Sequence, residues 1–366
     1  MPQAALKDKD RITLKDVASY LGLSAATVSI VLSGSPRSKA LRPETRERVR
    51  QAAADLGYRP NGIARSLRVK RTQLIGVLMP RINSHYASLV MEGLDDYLRA
   101  RGYSYLASSH SHEPQQAQEQ VQTLIDRQVD GLVLIAAPEI DSHGVPTVSV
   151  GGRTAADAES EIGIDHGPAV DQALDHLYSL GHRRIAFIKG SPGNPDTAGR
   201  WRAVQRACQR LGLEIEPRLV RHLWDGCSPS PRQACAEGFR LGQSLLSFNM
   251  PSSSRPSSPF QPNAEAPFTA LFAFNDHTAI GAMRAFVEAG FRVPWDFSVV
   301  GFDDIDAAEY QHPPLTTVRQ PLEDMGELAG RLLLDKLDPG SASLLCGPRR
   351  LEADLQIRAS TGPAFR

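Results

Sequence analysis

The 366-residue sequence predicts an α/β protein, with an all-α headpiece at its N-terminus and a two-lobed body of parallel sheets covered by helices. Three observations carry this expectation. Residues 13–32, TLKDVASYLGLSAATVSIVL, read as two short helices around a tight turn. The charge is divided: residues 1–72 hold 15 Lys and Arg against 6 Asp and Glu, net +9, and the remainder holds 26 against 35, net −9. From Leu74 onward, apolar strand-like runs alternate with amphipathic stretches, the βαβ rhythm of a parallel sheet.

In the headpiece, Thr13 can cap the first helix, and Asp16 three residues on completes a capping box of the form S/T-x-x-D/E. Leu14, Val17, Ala18 and Leu21 repeat at helical spacing; Gly22 ends the helix and Leu23 plugs the corner. Ser24 caps a second helix in which Val28, Val31 and Leu32 face inward. Ala25, Ala26, Thr27, Ser29 and Ile30 are then left outward or at the leading end. Small uncharged side chains at a helix start permit close approach to another molecule, the geometry with which a helix-turn-helix enters a DNA major groove. A plain helical hairpin would show the same pattern; the net +9 on this segment is what favours a polyanionic partner.

The loop SGSPRSKALRP follows, with Pro43 placed for the first turn of a third helix whose Val49, Ala52, Ala53 and Leu56 face inward and which Gly57 stops. Arg37, Lys39, Arg42, Arg46, Arg48 and Arg50 are candidates for phosphate contacts that fix register without reading sequence. In residues 58–73, Ile63 and Leu67 stand one helical turn apart among Arg65, Arg68, Lys70 and Arg71. So short a helix is marginal alone. The stretch is either a flexible linker or a segment ordered by packing, with a Leu suited to wedging into a minor groove. The domain boundaries read as 1–58 for the headpiece, 59–73 for hinge and linker, and 74–366 for the body.

The first lobe of the body runs through the strand LIGVLMP, a helix with Val90, Leu94, Tyr97 and Leu98 on one face, and the strand YSYLASS. A helix with Ala117, Val121, Leu124 and Ile125 inward and the buried strand DGLVLIAA complete it. The connection PEIDSHGVP before TVSV is too short for a crossover helix, so a local irregularity in the sheet is expected there. A second series begins after Ile164–Asp165: helix GPAVDQALDHLYSLG, strand IAFIKG, a Gly/Pro loop, helix WRAVQRACQRLG, strand LVRHLW, helix QACAEGFRLGQSLL, strand TALFAF, helix AIGAMRAFVEAG and strand FSVVGFDD. Two units of equal rhythm suggest a cleft at the carboxyl ends of their strands, where open α/β sheets bind ligands. Residues 247–267, with six Ser and five Pro in 21, cannot build a packed core and read as a passive disordered insertion.

Other function classes find little support. No apolar run approaches the roughly 20 residues of a membrane helix. MPQAALKDKDR lacks the apolar stretch of a secretory signal, so a cytoplasmic chain is expected. Cys208, Cys227, Cys235 and Cys346 form no C-x-x-C pair and read as reduced thiols. There is no G-x-S-x-G, no Walker A, no G-x-G-x-x-G after the first strand and no metal-spaced His/Cys set, which argues against an enzyme and against any cofactor. His110 and His112 form a lone H-x-H that reads as a solvated loop. A plain solute-binding protein would need export and would not need a basic headpiece.

Taken together, TLKDVASYLGLSAATVSIVL, RERVRQAAADLGYRPNGIARSLRVKRTQLIGVLMP, LFAFNDHTAIGAMRA, VVGFDDID and PPLTTVRQP resemble the LacI/GalR family of bacterial transcription regulators, in consistent order from about residue 11 to residue 361. The resemblance implies a helix-turn-helix headpiece, a hinge helix and a body like a periplasmic sugar-binding protein. It also implies a homodimer on double-stranded, palindromic operator DNA. Its DNA-binding set would be Thr13, Ser24, Ala25, Ala26, Thr27, Ser29, Ile30, Asn61, Ala64, Arg65 and Leu67, with Leu67 where the family's hinge leucine enters the central minor-groove step. Its effector set, for a sugar-like small molecule, would be Tyr86, Arg200, Trp224, Asn275, Asp276 and Asp303.

At Arg200 a guanidinium offers a fork to vicinal hydroxyls, carboxylate or phosphate. Asp303, Asn275 and Asp276 end strands, and Trp224 can stack on a sugar face; each could equally be a structural group. Crossovers between the lobes are expected near Asp165, Gln320 and Cys346. Two features depart from the pattern. Ile30 stands where many members carry Arg or His, so a thymine-methyl contact replaces a bidentate guanine contact. The loop before the third helix is a few residues longer than in the best-known members. No heptad tail follows Arg358–Gly362, which favours a dimer over a tetramer.

Overall fold

The computed structural model describes residues 12–33, 35–58, 71–111, 113–151, 160–192, 194–223, 230–247, 268–338 and 349–364. The chain forms two compact units, residues Met1–Thr72 and Gln73–Arg366.

The first unit is all-helical among its described residues. Helix α1 (Leu14–Leu21) opens with the capping box: Thr13 accepts from the Asp16 amide, and the Asp16 carboxylate accepts from the Thr13 amide at 2.8 Å. It ends on Gly22, whose φ of +65° suits the left-handed cap. Helix α2 (Ala25–Leu32) is capped by Ser24, which accepts from the Thr27 amide at 3.1 Å. The axes of α1 and α2 bend by 112°, within the range of a helix-turn-helix. The stretch read as a plain loop contains a 3-10 turn, Pro36–Ala40, because Pro36 presets its φ and Ser35 accepts from the Arg37 amide. Helix α3 (Pro43–Asp55) lays Val49, Ala52 and Ala53 over Val17, Ala18, Val28 and Val31. These seven side chains are the whole buried core of the unit's described part, with Leu23 packed at the corner.

The second unit contains two six-stranded sheets, one to each lobe. Lobe 1 is built in order from β1 (Leu74–Met79), α4 (His85–Arg99), β2 (Ser104–Ser109), α5 (Pro114–Asp126), β3 (Gly131–Ile135), β4 (Thr147–Val150) and β5 (Glu161–Ile164). The chain then passes into lobe 2 through α6 (His166–Ser179), β6 (Ile185–Lys189), α7 (Pro195–Leu211), β7 (Val220–His222), α8 (Pro231–Leu246), β8 (Ala270–Ala273), α9 (Asp276–Glu288), β9 (Ser298–Asp303), α10 (Asp306–Glu309) and β10 (Thr316–Arg319). It returns with α11 (Leu322–Leu337) and β11 (Arg349–Leu351), and ends its strands with β12 (Asp354–Gln356). The strand orders are β11-β5-β4-β3-β1-β2 and β12-β10-β9-β8-β6-β7, parallel throughout except for β10 against β12.

Four differences from the sequence reading have physical reasons. The β3–β4 pairing is regular, running in register from Leu132↔Thr147 to Ile135↔Val150. The missing crossover helix is replaced by α11, which returns from lobe 2 and seals this face. Its approach to α4 requires glycine on both sides, since a Cβ on Gly93 would overlap the Glu323 carbonyl and one on Gly326 that of Val90. Helix α7 starts at Pro195, capped by Asn194, so Arg200 stands on a helix and not after a loop. The third crossover falls between Leu351 of β11 and Asp354 of β12, later than Cys346, while the first two fall at Asp165 and Gln320. His110 is fully buried, its ring facing the Ile135 carbonyl, and is not a solvated loop residue. His112, Cys227, Cys346 and all but Ser247 of the 247–267 stretch lie outside the described residues, as does most of the hinge segment.

Candidate functional site

The DNA-facing surface expected of the headpiece is the leading end of α2. Ser24 and Ala26 are exposed, while Ala25, Thr27, Ser29 and Ile30 are half-buried. Ala25 leans on the apolar cluster, and the Ser24 and Thr27 hydroxyls bond each other at 2.8 Å. The two hydroxyls are thereby oriented by the cap before any partner arrives. Thr13 is exposed at the start of α1, and Tyr20, absent from the sequence-based set, is 39% exposed near its end. No charged side chain lies on α2, so its electrostatic contribution is the positive end of its own dipole. Asn61, Ala64, Arg65 and Leu67 lie outside the described residues.

In the second unit, the carboxyl ends of β1, β3, β6, β8, β9 and β10 converge on one cavity of about 110 Å³. About 10–15 Å³ measured this way accommodates one water, so the space suits one small polar molecule. Lobe 1 contributes Arg81, Asn83, Ser84, His85, Tyr86 and Ala136; lobe 2 contributes Asn194, Asp196, Arg200, Asn275, His277 and Asp303; Gln320 joins from the second crossover.

Arg200 is the centre of the site. It is 4% exposed, lies 3.5 Å from the Phe302 ring centroid and 4.5 Å from that of Phe274, and donates through Nη1 to the Phe274 carbonyl. Rings on a guanidinium face compensate part of its desolvation. Burial pulls the Arg200 pKa below its usual value, and the carboxylates Asp303 and Asp196 oppose that shift. Its Nε has no hydrogen-bond partner in the protein. The Gln320 Oε1 and His85 Nε2 atoms are likewise buried and unpartnered. An orphan buried polar atom costs roughly 1–3 kcal/mol, which favours a ligand that satisfies it.

The carboxylates around Arg200 differ in state. Burial pushes the Asp303 carboxyl up to about 7, against the opposing influence of Arg200 and of Gln320 Nε2, which donates to it at 2.6 Å. Burial also raises Asp196, but the hydrogen bond from His166 and the charges of His166, Arg200 and Arg350 outweigh it and leave that carboxyl below its ordinary range. The Tyr86 phenol is held protonated by burial and the neighbouring Asp196 and Asp303. Burial lowers His85 and His277, His277 also through His85.

Asp303 and Asp304 both take positive φ, +112° and +57°, unusual for side-chain-bearing residues and a form of strain found at ligand sites. The turn is clamped by Arg319 and Arg358, which reach the Asp304 carboxylate at 2.6 and 2.7 Å.

Of the expected effector set, Tyr86, Arg200, Asn275 and Asp303 meet in this cavity. Asn275 also caps α9 through Oδ1, accepting from the Thr278 amide at 3.0 Å. Asp276 does not line it: the side chain is fully buried, accepts from the Thr317 hydroxyl and from the Ile305 amide at 2.9 Å, and its carboxyl is pushed well above its ordinary range mainly by burial. Trp224 lies outside the described residues. His85, Asn194, Asp196, His277 and Gln320 were missed; all sit at or just after strand ends, the one signal that could have found them.

Comparisons with known proteins agree with this architecture. Residues 13–61 match the family model described as bacterial regulatory proteins, lacI family, and residues 174–361 match a periplasmic binding protein-like domain. The chain is 31% identical to the ribose operon repressor of Haemophilus influenzae, over 89% of this chain and 92% of that one. It is 29% identical to the transcriptional repressor CytR of Escherichia coli, over 98% of each. A crystal structure of the lac repressor dimer bound to operator and the anti-inducer ONPF superposes with a TM-score of 0.80 at 27% identity, covering 96% of this chain and 100% of that one. Among the described residues no single helix is long and apolar enough to cross a membrane.

Proposed function

The chain belongs to the LacI family of bacterial regulatory proteins, and we propose that it is a transcriptional repressor that binds a palindromic operator as a homodimer and answers to a sugar or sugar derivative held between its lobes. The reading rests on one conjunction: a capped helix pair bent by 112° in the same chain as a cleft lined by Arg200, Gln320 and His85, each with a buried polar atom that has no partner.

On this reading Ser24, Ala26, Thr27 and Ser29 meet base edges or phosphates, and Ile30 contacts a thymine methyl. Thr13, Ala25, Asn61, Ala64, Arg65 and Leu67 complete the surface by resemblance to the family. In the cleft, Asp196 and Asp303 accept from ligand hydroxyls, and Asn275, Arg200 and Tyr86 donate to ligand oxygens. DNA and effector are linked because each favours one angle between the lobes. Relatives named as repressors support DNA binding, and the ribose operon repressor supports a sugar.

The test is selection of bound duplexes from random DNA, repeated with D-ribose, D-glucose, D-galactose, cellobiose and adenosine present, alongside calorimetry with the same panel. A palindromic enriched sequence, weakened or strengthened by one panel member that also gives heat, is expected. Binding without enrichment would overturn the operator reading, and absence of heat throughout would overturn the effector reading. Sedimentation should report a dimer.

A further inference from the structure

Each of the two cleft carboxylates is bonded to a residue that stands at a crossover between the lobes. Asp303 accepts from Gln320, which follows β10 where the chain leaves lobe 2 for α11. Asp196 meets His166 Nε2 at 3.4 Å, and His166 is the first residue of α6, directly after the crossover at Asp165. The charge of Arg350 also bears on Asp196, and Arg350 lies in β11, two residues before the connection to β12; its own ion pair is with Glu161 of β5 at 3.7 Å. Two of the three crossovers therefore converge on two side chains that face the cavity.

Neither His166 nor Arg350 lines that cavity, and His166 is 9% exposed, packed edge-on against Phe302. The polar route from the His166 ring to a ligand runs through Asp196. Among the described residues its Nδ1 is buried without a partner, and the contact of Nε2 with Asp196 anchors the ring. A ligand hydroxyl arriving at Asp196 or Asp303 shares a carboxylate already shared with a crossover. The strength of the carboxylate-to-crossover bond then depends on occupancy, and the preferred angle of the crossover depends on that bond.

We propose that His166 and Gln320 are positioning residues that carry effector occupancy to the first two crossovers, with His166 the coupling residue that does not itself touch the effector. This rests on the effector reading above and says how that site is regulated. Removing the His166 bond then changes the communication between ligands more than it changes either affinity alone.

The experiment measures operator affinity of the full chain with and without a saturating concentration of the panel sugar that binds most tightly, for the natural protein, His166→Leu and His166→Asn. The ratio of the two affinities is the coupling factor, commonly about 5- to 150-fold in allosteric proteins. His166→Leu should bring it below about 2-fold while each single-ligand affinity stays within about 3-fold. His166→Asn, which keeps a donor, should retain most of the coupling. An unchanged factor in His166→Leu overturns the proposal, as does an equal loss in both variants. If His166→Leu does not fold by circular dichroism, His166→Phe, which keeps a ring against Phe302 without a polar atom, is measured in its place with the same expected ratio. A factor of one in the natural protein overturns the effector reading itself, and this inference with it.

Discussion

In the headpiece, the bonds that shape the candidate DNA-facing end of α2 join residues three apart: Thr13 with Asp16 and Ser24 with Thr27. In the cleft, the bonds that shape the candidate effector site join residues remote in sequence: Arg200 with the Phe274 carbonyl, His166 with Asp196, Gln320 with Asp303. One site is assembled by a single turn of helix and the other by the whole topology of two sheets. The first should therefore lose strength gradually when edited, and the second should fail as a unit.

Arg200→Met is the harshest test of that contrast. The substitution keeps approximate volume between Phe302 and Phe274 but takes the shared cation from the half-buried Asp196 and Asp303. The cost is about 3 kcal/mol, the low end for a fully buried charged cluster. Melting of the second unit should fall accordingly and effector heat should vanish, while the headpiece transition stays in place. Retained heat with normal stability would show that Arg200 is peripheral.

Val28→Ala puts the same question to the headpiece. With seven buried side chains, the described part of this unit holds little apolar area in reserve. Truncating a buried valine should cost roughly 2 kcal/mol through lost burial and cavity. Calorimetry should show the headpiece transition lowered and operator binding weakened, with effector binding by the body unchanged. A simultaneous shift of both transitions would mean that the two units melt cooperatively.

The same contrast explains what was legible in the sequence. Capping residues, Gly22, Leu23 and the inward Val28 and Val31 could be placed because each acts within one or two turns. The alternation of strands and helices was legible because burial on both faces of a parallel sheet leaves apolar runs. Asp276 misled because it follows a strand end like Asn275. Only the fold shows that its carboxyl turns inward to Thr317 while its neighbour faces the cavity. Asp196 and Gln320 carry no local signature beyond following a strand end, since their partners His166 and Asp303 lie 30 and 17 positions away. The regular β3–β4 pairing was hidden for a related reason, its covering helix α11 lying almost two hundred residues downstream.

A titration gives a smaller effect with a definite sign. The Asp303 carboxyl, pushed up to about 7 chiefly by burial, is about half protonated in the free cleft near neutrality. A ligand hydroxyl donates to the ionised form better than to the protonated one, so binding favours ionisation and releases a proton. Effector affinity should therefore rise as pH increases from about 6.5 to about 7.5, by less than tenfold per unit, and level off above. His85 and His277, held below their ordinary value by burial, change charge on the acid side of that window. Asp303→Asn should flatten the profile. A natural-protein affinity that falls with pH would remove Asp303 from direct contact with the ligand.

The mildest change returns to the helix that opens the headpiece. In Thr13→Ala the Asp16 amide loses the hydroxyl acceptor but keeps the carbonyl of residue 13, and the Asp16 carboxylate loses the hydroxyl donor but keeps the backbone amide of residue 13. Both groups are at an exposed helix start, where water replaces the lost partner, so the expected cost is about 1 kcal/mol, the usual range for a lost cap. Operator affinity should fall only as far as the folded fraction falls, because α1 supports α2 through Val17 and Ala18 and not through this cap. Measured against a Val28→Ala headpiece of known stability, a loss of DNA binding larger than the loss of folding would identify Thr13 as a phosphate contact. A proportional loss confines it to capping.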